Sequence, residues 1–141
     1  MFGFSPEKIL LGSIAAAAIL IYLPLPLAAY GRIQAAGMEG VASPRDSATL
    51  EKMPGFAKRA LWAHQNALEA FGLYAAAALM VFATGKPSAY TSTVAAVFLA
   101  ARVVHAIAYI GNVAPLRGLA FAVGIGCIAS LMGTGIKGLA L

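Results

Sequence analysis

Between Lys8 and Arg32 lie 23 consecutive residues, Ile9 to Gly31, that carry no charge. No other feature constrains the fold as tightly. At 1.5 Å per residue a helix of this length reaches about 34 Å, against a hydrocarbon core of about 30 Å. The stretch is too long for the apolar region of a signal peptide and no Lys/Arg-rich segment precedes it, so the sequence predicts a retained membrane span. A second uncharged stretch, Gly118 to Ile136, runs between Arg117 and Lys137. Two more apolar stretches, Ala60 to Gly85 and Ser88 to Ile110, are interrupted only by His64 and Glu69 in one and by Arg102 and His105 in the other. Composition points the same way: 61% of residues are hydrophobic and 11% charged, with a mean hydropathy of +0.84. Soluble domains carry about a quarter charged residues. The predicted fold is all-α, an integral membrane four-helix bundle. It forms one transmembrane domain over 1–141, with spans near 9–31, 60–85, 88–110 and 118–136.

The single cysteine, Cys127, excludes a disulfide framework and any thiolate metal cluster within one chain, and no metal site is expected. Pro24 and Pro26 predict a kink near the end of the first span, tolerable where neighbouring groups satisfy the freed carbonyls. Gly85-Lys86-Pro87 and the segment from Gly111 to Pro115 read as helix breaks. No internal repeat suggests an inverted-repeat transporter. Arg32, Arg45, Lys52, Lys58, Arg59 and Arg117 fall on one side of the bilayer and Lys8, Lys86 and Lys137 on the other. The positive-inside bias therefore predicts first and third connections in the cytoplasm and both termini away from it. The formal charge of +5 reflects this basic face. Nucleic-acid binding is a poor reading, because the basic residues flank spans and form no stripe interleaved with aromatics.

Ionisable groups inside a span cost about 2.5–3.5 kcal/mol each when unpaired. Glu69 and Arg102 fall at similar depths on antiparallel spans, so an interhelical ion pair is expected between them. Trp62, Asn66 and Glu69 stand at i, i+4 and i+7, and Arg102, His105 and Tyr109 at i, i+3 and i+7. Each set forms one polar stripe running toward the basic face. Arg32 and Arg117 add two cations at that level, so the stripes describe an anion pocket between helices. On the fourth span Gly118, Ala122, Gly126, Ser130, Thr134 and Gly138 form an i+4 ladder of small residues, which suits close helix packing within the chain or between copies.

Three segments carry a family resemblance. They are Arg59-Ala-Leu-Trp-Ala-His64-Gln-Asn66-Ala-Leu-Glu69, then Ala101-Arg102-Val-Val-His105-Ala-Ile-Ala-Tyr109, then Ala114-Pro115-Leu116-Arg117-Gly118. Together they resemble the MAPEG family, the membrane-associated proteins in eicosanoid and glutathione metabolism. Ser43-Pro44-Arg45-Asp46 is similar to the family's loop motif in the form typical of bacterial members. The chain departs from many members of the family at Leu61 and Trp62, and from its prostaglandin synthases at Gln65 and Gly118.

The resemblance implies a homotrimer in a bacterial inner membrane, with glutathione as co-substrate held between subunits near the cytoplasmic face. It assigns glutathione contacts to Arg32, Asn66, Glu69, His105, Tyr109 and Arg117, with Arg102 beside them. It assigns catalytic roles to Arg117, as the thiolate-stabilising group, and to Asp46. The implied enzyme is a glutathione transferase, with possible peroxidase side activity, acting on lipophilic electrophiles or lipid hydroperoxides delivered through membrane lipid. Three alternatives remain at this level: a proton-coupled transporter titrating Glu69, a b-type haem protein ligated by His64 and His105, and a non-catalytic glutathione- or lipid-binding member.

Overall fold

The computed structural model describes residues 3–43 and 45–139. Seven helices follow in order: α1 Pro6–Tyr22, α2 Leu25–Ala36, α3 Glu39–Ala42, α4 Ser47–Lys52, α5 Gly55–Ala83, α6 Ala89–Ile110 and α7 Ala114–Gly138. No strand occurs among the described residues. Counting α1 and α2 as one kinked element over Pro6–Ala36, four helices are long and apolar enough to cross a membrane. This is an all-α, integral membrane four-helix bundle. The short helices α3 and α4 belong to the first connection, which shares one end of the bundle with the α6–α7 turn; this is termed the loop end.

Each boundary has a local cause. Pro24 and Pro26 lack N–H groups, so the first span breaks at Leu23 and Pro24 instead of running straight. The break leaves the Ile21 carbonyl without a helical donor, and His64 Nδ1, 2.7 Å away, donates to it from α5. A carbonyl can only accept, so Nδ1 carries the proton. α5 starts five residues before the uncharged stretch does, because Lys58 and Arg59 stand on its first turns. Ser88 opens α6 with a capping box, its hydroxyl accepting from the Thr91 N–H while the Thr91 hydroxyl accepts from the Ser88 N–H. α6 ends in a Schellman turn: Asn112 takes φ 60°, its N–H bonds the Tyr109 carbonyl at 3.2 Å, and the Val113 N–H bonds the Ala108 carbonyl at 2.8 Å.

Packing follows the rule for helices in lipid, where small residues bring backbones close. Ala57, Ala60, Ala63, Ala70, Ala77 and Ala78 line the buried face of α5. Where α2 crosses α5, a Cβ on Gly31 would overlap that of Ala57, so only glycine fits the crossing. The apolar core gathers away from the loop end, around Leu10, Tyr74, Val81, Phe98, Ile128 and Leu131. There the Tyr74 and Phe98 rings stack with centroids 3.8 Å apart, and the Tyr74 hydroxyl bonds Ser13. Cys127 is buried in the same core. The small-residue ladder divides. A Cβ on Gly118 or Gly126 would meet nothing within 4 Å, whereas one on Gly138 would run into Thr84 and Lys86. Its loop-end half therefore faces out of the chain.

Candidate functional site

Polar side chains collect in the loop-end half of α5, α6 and α7. Arg102, 7% exposed, donates from Nη2 to Asn66 Oδ1 at 2.9 Å, joining α6 to α5. The expected Glu69–Arg102 ion pair is absent. Asn66 holds the level opposite Arg102 on the antiparallel helix, and Glu69 lies nearly one turn further from the loop end. Glu69 is exposed on the outer surface of the chain, where its Oε1 accepts from Gln65 Nε2 at 3.2 Å. Among the described residues no carboxylate contacts Arg102.

One turn further toward the loop end, His105 is 2% exposed and its Nδ1 has no hydrogen-bond partner. Its ring packs edge-on against Tyr109 with centroids 5.5 Å apart, and Phe121 of α7 closes the other side at 6.2 Å. Arg117, near the start of α7, places its guanidinium 4.9 Å from the centroid of the Tyr109 ring. That is a cation–π contact, which holds the charge without neutralising it. His105, Tyr109 and Arg117 thus form one cluster, with Asn66 and Arg102 just beneath it.

Arg32 and Asp46 are placed elsewhere, Arg32 near the end of α2 and Asp46 in the first connection. Arg32 Nε donates to the Gly40 carbonyl at 2.7 Å, and its Nη2 reaches the Ser43 carbonyl and hydroxyl, each at 3.3 Å. Arg32 thereby braces the end of α3. Asp46 is the N-cap of α4, its Oδ1 accepting from the Thr49 N–H at 2.6 Å. That backbone N–H holds the Asp46 carboxyl below the ordinary carboxylate range, with smaller help from the Arg32 charge. Pro44, in the loop motif between them, lies outside the described residues. A cleft of about 380 Å³ opens between α2, the loop and α5, lined by Leu25, Ala28, Ala29, Arg32, Val41, Ser43, Arg45, Leu61 and His64.

Two residues take roles here that the sequence did not specify: Arg59, placed there as flanking charge, and His64, offered there as a haem ligand. Arg59 Nε donates to the Ile110 carbonyl at 2.8 Å, clasping the end of α6 from the second turn of α5. His64 satisfies the Pro24 break. A basic residue seven positions before Asn66 was the available signal for Arg59. For His64 it was a donor facing a proline-broken span.

Fold and site together define a four-span membrane bundle with a cationic, aromatic-lined cluster at one end. The chain belongs to the MAPEG family, whose family model matches residues 9–137. No curated protein and no solved structure matches it.

Proposed function

We propose that the protein is a membrane glutathione transferase, with peroxidase side activity, that activates the glutathione thiol against lipophilic electrophiles or lipid hydroperoxides. The observation that carries this reading is the charge state of the cluster. Arg102 and Arg117 are held by neutral partners, an amide and an aromatic ring, and among the described residues no carboxylate contacts either. Buried cations are ordinarily paired with acids. A cluster that keeps buried Arg102 and half-buried Arg117 uncompensated, beside an unpartnered His105 nitrogen, suits a ligand with several carboxylates.

Arg102, Asn66 and His105 orient such a ligand by its carboxylate and amide groups, beside the Tyr109 ring. Arg117, on the rim, lowers the thiol pKa by its charge. A thiol of pKa about 8.5 is about 3% ionised at pH 7, and a shift to about 6.5 raises this to about 75%. The thiolate sulfur then attacks the electrophilic carbon as the halide or other leaving group departs with the bonding pair. Glu69, exposed on the chain's outer face, and Arg32, near the end of α2, join the site across a subunit boundary in a homotrimer. The outward half of the small-residue ladder on α7 suits a close helix contact between copies. The loop end faces the cytoplasm of a bacterial inner membrane, following the basic bias of its connections. Asp46 acts by holding the loop through its cap on α4.

The test is conjugation of glutathione to a chloronitrobenzene by the purified protein in detergent, for wild type and Arg117→Leu. Turnover that falls about 10-fold or more in the variant, with a smaller loss of glutathione affinity, is expected. A wild-type protein that binds glutathione without turnover is instead a non-catalytic member of the family.

A further inference from the structure

We infer that Arg59 is a positioning residue: through its bond to the Ile110 carbonyl it fixes the turn that sets Tyr109 against Arg117. This inference rests on the reading of the Tyr109–Arg117 cluster as the reactive end of the site. It adds a residue that makes no contact with the cluster itself.

The argument begins with the orphan carbonyls at the end of α6. The turn satisfies three of them, as the N–H groups of Gly111, Asn112 and Val113 bond the carbonyls of Ile107, Tyr109 and Ala108. The Ile110 carbonyl receives no backbone donor, and Arg59 supplies one at 2.8 Å. This carbonyl belongs to the residue that follows Tyr109. The same turn, three residues long with its one left-handed position at Asn112, launches α7, whose first turn carries Arg117. Displacement of the turn therefore moves both members of the cation–π pair at once.

Among the described residues two polar links join α5 to α6, Arg59–Ile110 and Asn66–Arg102, separated by seven residues on one helix and eight on the other. At 1.5 Å per residue they sit about 10–12 Å apart, one below the cluster and one at its outer edge. Asn66–Arg102 holds the deep side and Arg59 the loop side. Room for the Arg59 side chain comes from Gly55, where an added Cβ would approach Arg59 Nη1 to 3.2 Å.

The experiment compares Arg59→Leu, Arg59→Lys and Lys58→Gln with wild type, in the full-length protein in detergent. Lys58 is the control for charge alone, because it bonds the Glu51 carbonyl in the first connection. Two readouts are taken: hydrogen exchange across the α6–α7 turn, and glutathione conjugation resolved into kcat and KM. For Arg59→Leu, faster exchange at Asn112 and Val113 is expected, together with a kcat reduced about 10-fold and a glutathione KM changed less than about 3-fold. Arg59→Lys, which keeps a donor on a flexible stem, restores turn protection and most of kcat, and Lys58→Gln matches wild type in both. Unchanged turn exchange in a folded Arg59→Leu protein overturns the inference. So does an Arg59→Lys protein that regains turn protection while its kcat stays as low as that of Arg59→Leu. A wild type with no thiol chemistry, but with the exchange pattern intact, removes the proposed function and leaves Arg59 as the clasp of the turn.

Discussion

The exchange of one partner for another at Arg102 can be measured. Arg102 is 7% exposed, eight residues from the end of α6, and among the described residues its polar contact is the bond to Asn66. Removing the amide with Asn66→Ala leaves a buried charged donor without its acceptor. Hydrogen bonds to charged groups contribute about 1.5–3 kcal/mol in water-soluble proteins. Interhelical polar pairs in a membrane protein average about 0.6 kcal/mol and reach about 1.7 kcal/mol. With Arg102 this deeply buried, the Asn66–Arg102 coupling should fall at about 1–1.5 kcal/mol. The assay is a double-mutant cycle with Asn66→Ala and Arg102→Met, read as unfolding free energy in mixed micelles. A parallel cycle with Glu69→Gln isolates the alternative partner. Because Glu69 is exposed and bonded to Gln65, that second cycle should be additive within about 0.3–0.5 kcal/mol. A Glu69–Arg102 coupling larger than the Asn66–Arg102 one would refute the assignment.

Three further outcomes are expected. Gly31→Ala should lower the unfolding free energy of the chain in micelles, because its new Cβ would overlap Ala57, whereas Gly118→Ala, whose Cβ would meet nothing within 4 Å, should not disturb packing within the chain. His64→Phe should cost about 1–3 kcal/mol by orphaning the Ile21 carbonyl inside the span, and His64→Asn, which retains a donor near the same place, should recover most of it in the same micelle assay. The Asp46 carboxyl has a lowered pKa in the folded protein, so its cap on α4 is complete above the ordinary carboxylate range and is lost as pH falls through the lowered value. Exchange at the Thr49 amide should accelerate over that acid window in wild type, and in Asp46→Ala it should already be fast at neutral pH.

The spans were legible because an uncharged run of more than twenty residues has few alternatives, and the bilayer thickness supplies an external ruler. The stripe of Arg102, His105 and Tyr109 was legible too, since helical spacing alone puts those residues on one face, and the structure has Tyr109 packed on His105. Depth was legible; azimuth between helices was not. Asn66 and Glu69 are three positions apart, close enough in level that charge complementarity favoured Glu69. Rotation about α5 turned Asn66 inward and Glu69 out, and that rotation is set by the alanine face against its neighbours. The first connection was the least readable part. Its roles for Arg32 and Asp46 depend on short helices of four and six residues, whose capping bonds leave almost no periodic signal.

The placement of polar groups also explains how the bundle tolerates them. Away from the loop end, α1, α5, α6 and α7 meet through alanines, a stacked Tyr74–Phe98 pair and aliphatic side chains, and this half holds the helices in register. At the loop end α5 and α6 are tied by hydrogen bonds from arginines. Both ties use neutral acceptors, the Asn66 amide for Arg102 and the Ile110 carbonyl for Arg59, and Arg117 rests on the Tyr109 ring. Had these arginines been paired with carboxylates, the bundle would be held as firmly and its charge cancelled. Neutral acceptors keep each guanidinium in place while preserving its charge, so the field at this end stays positive. The apolar half thus bears the packing, which frees the loop end to keep charge that stability alone would have neutralised.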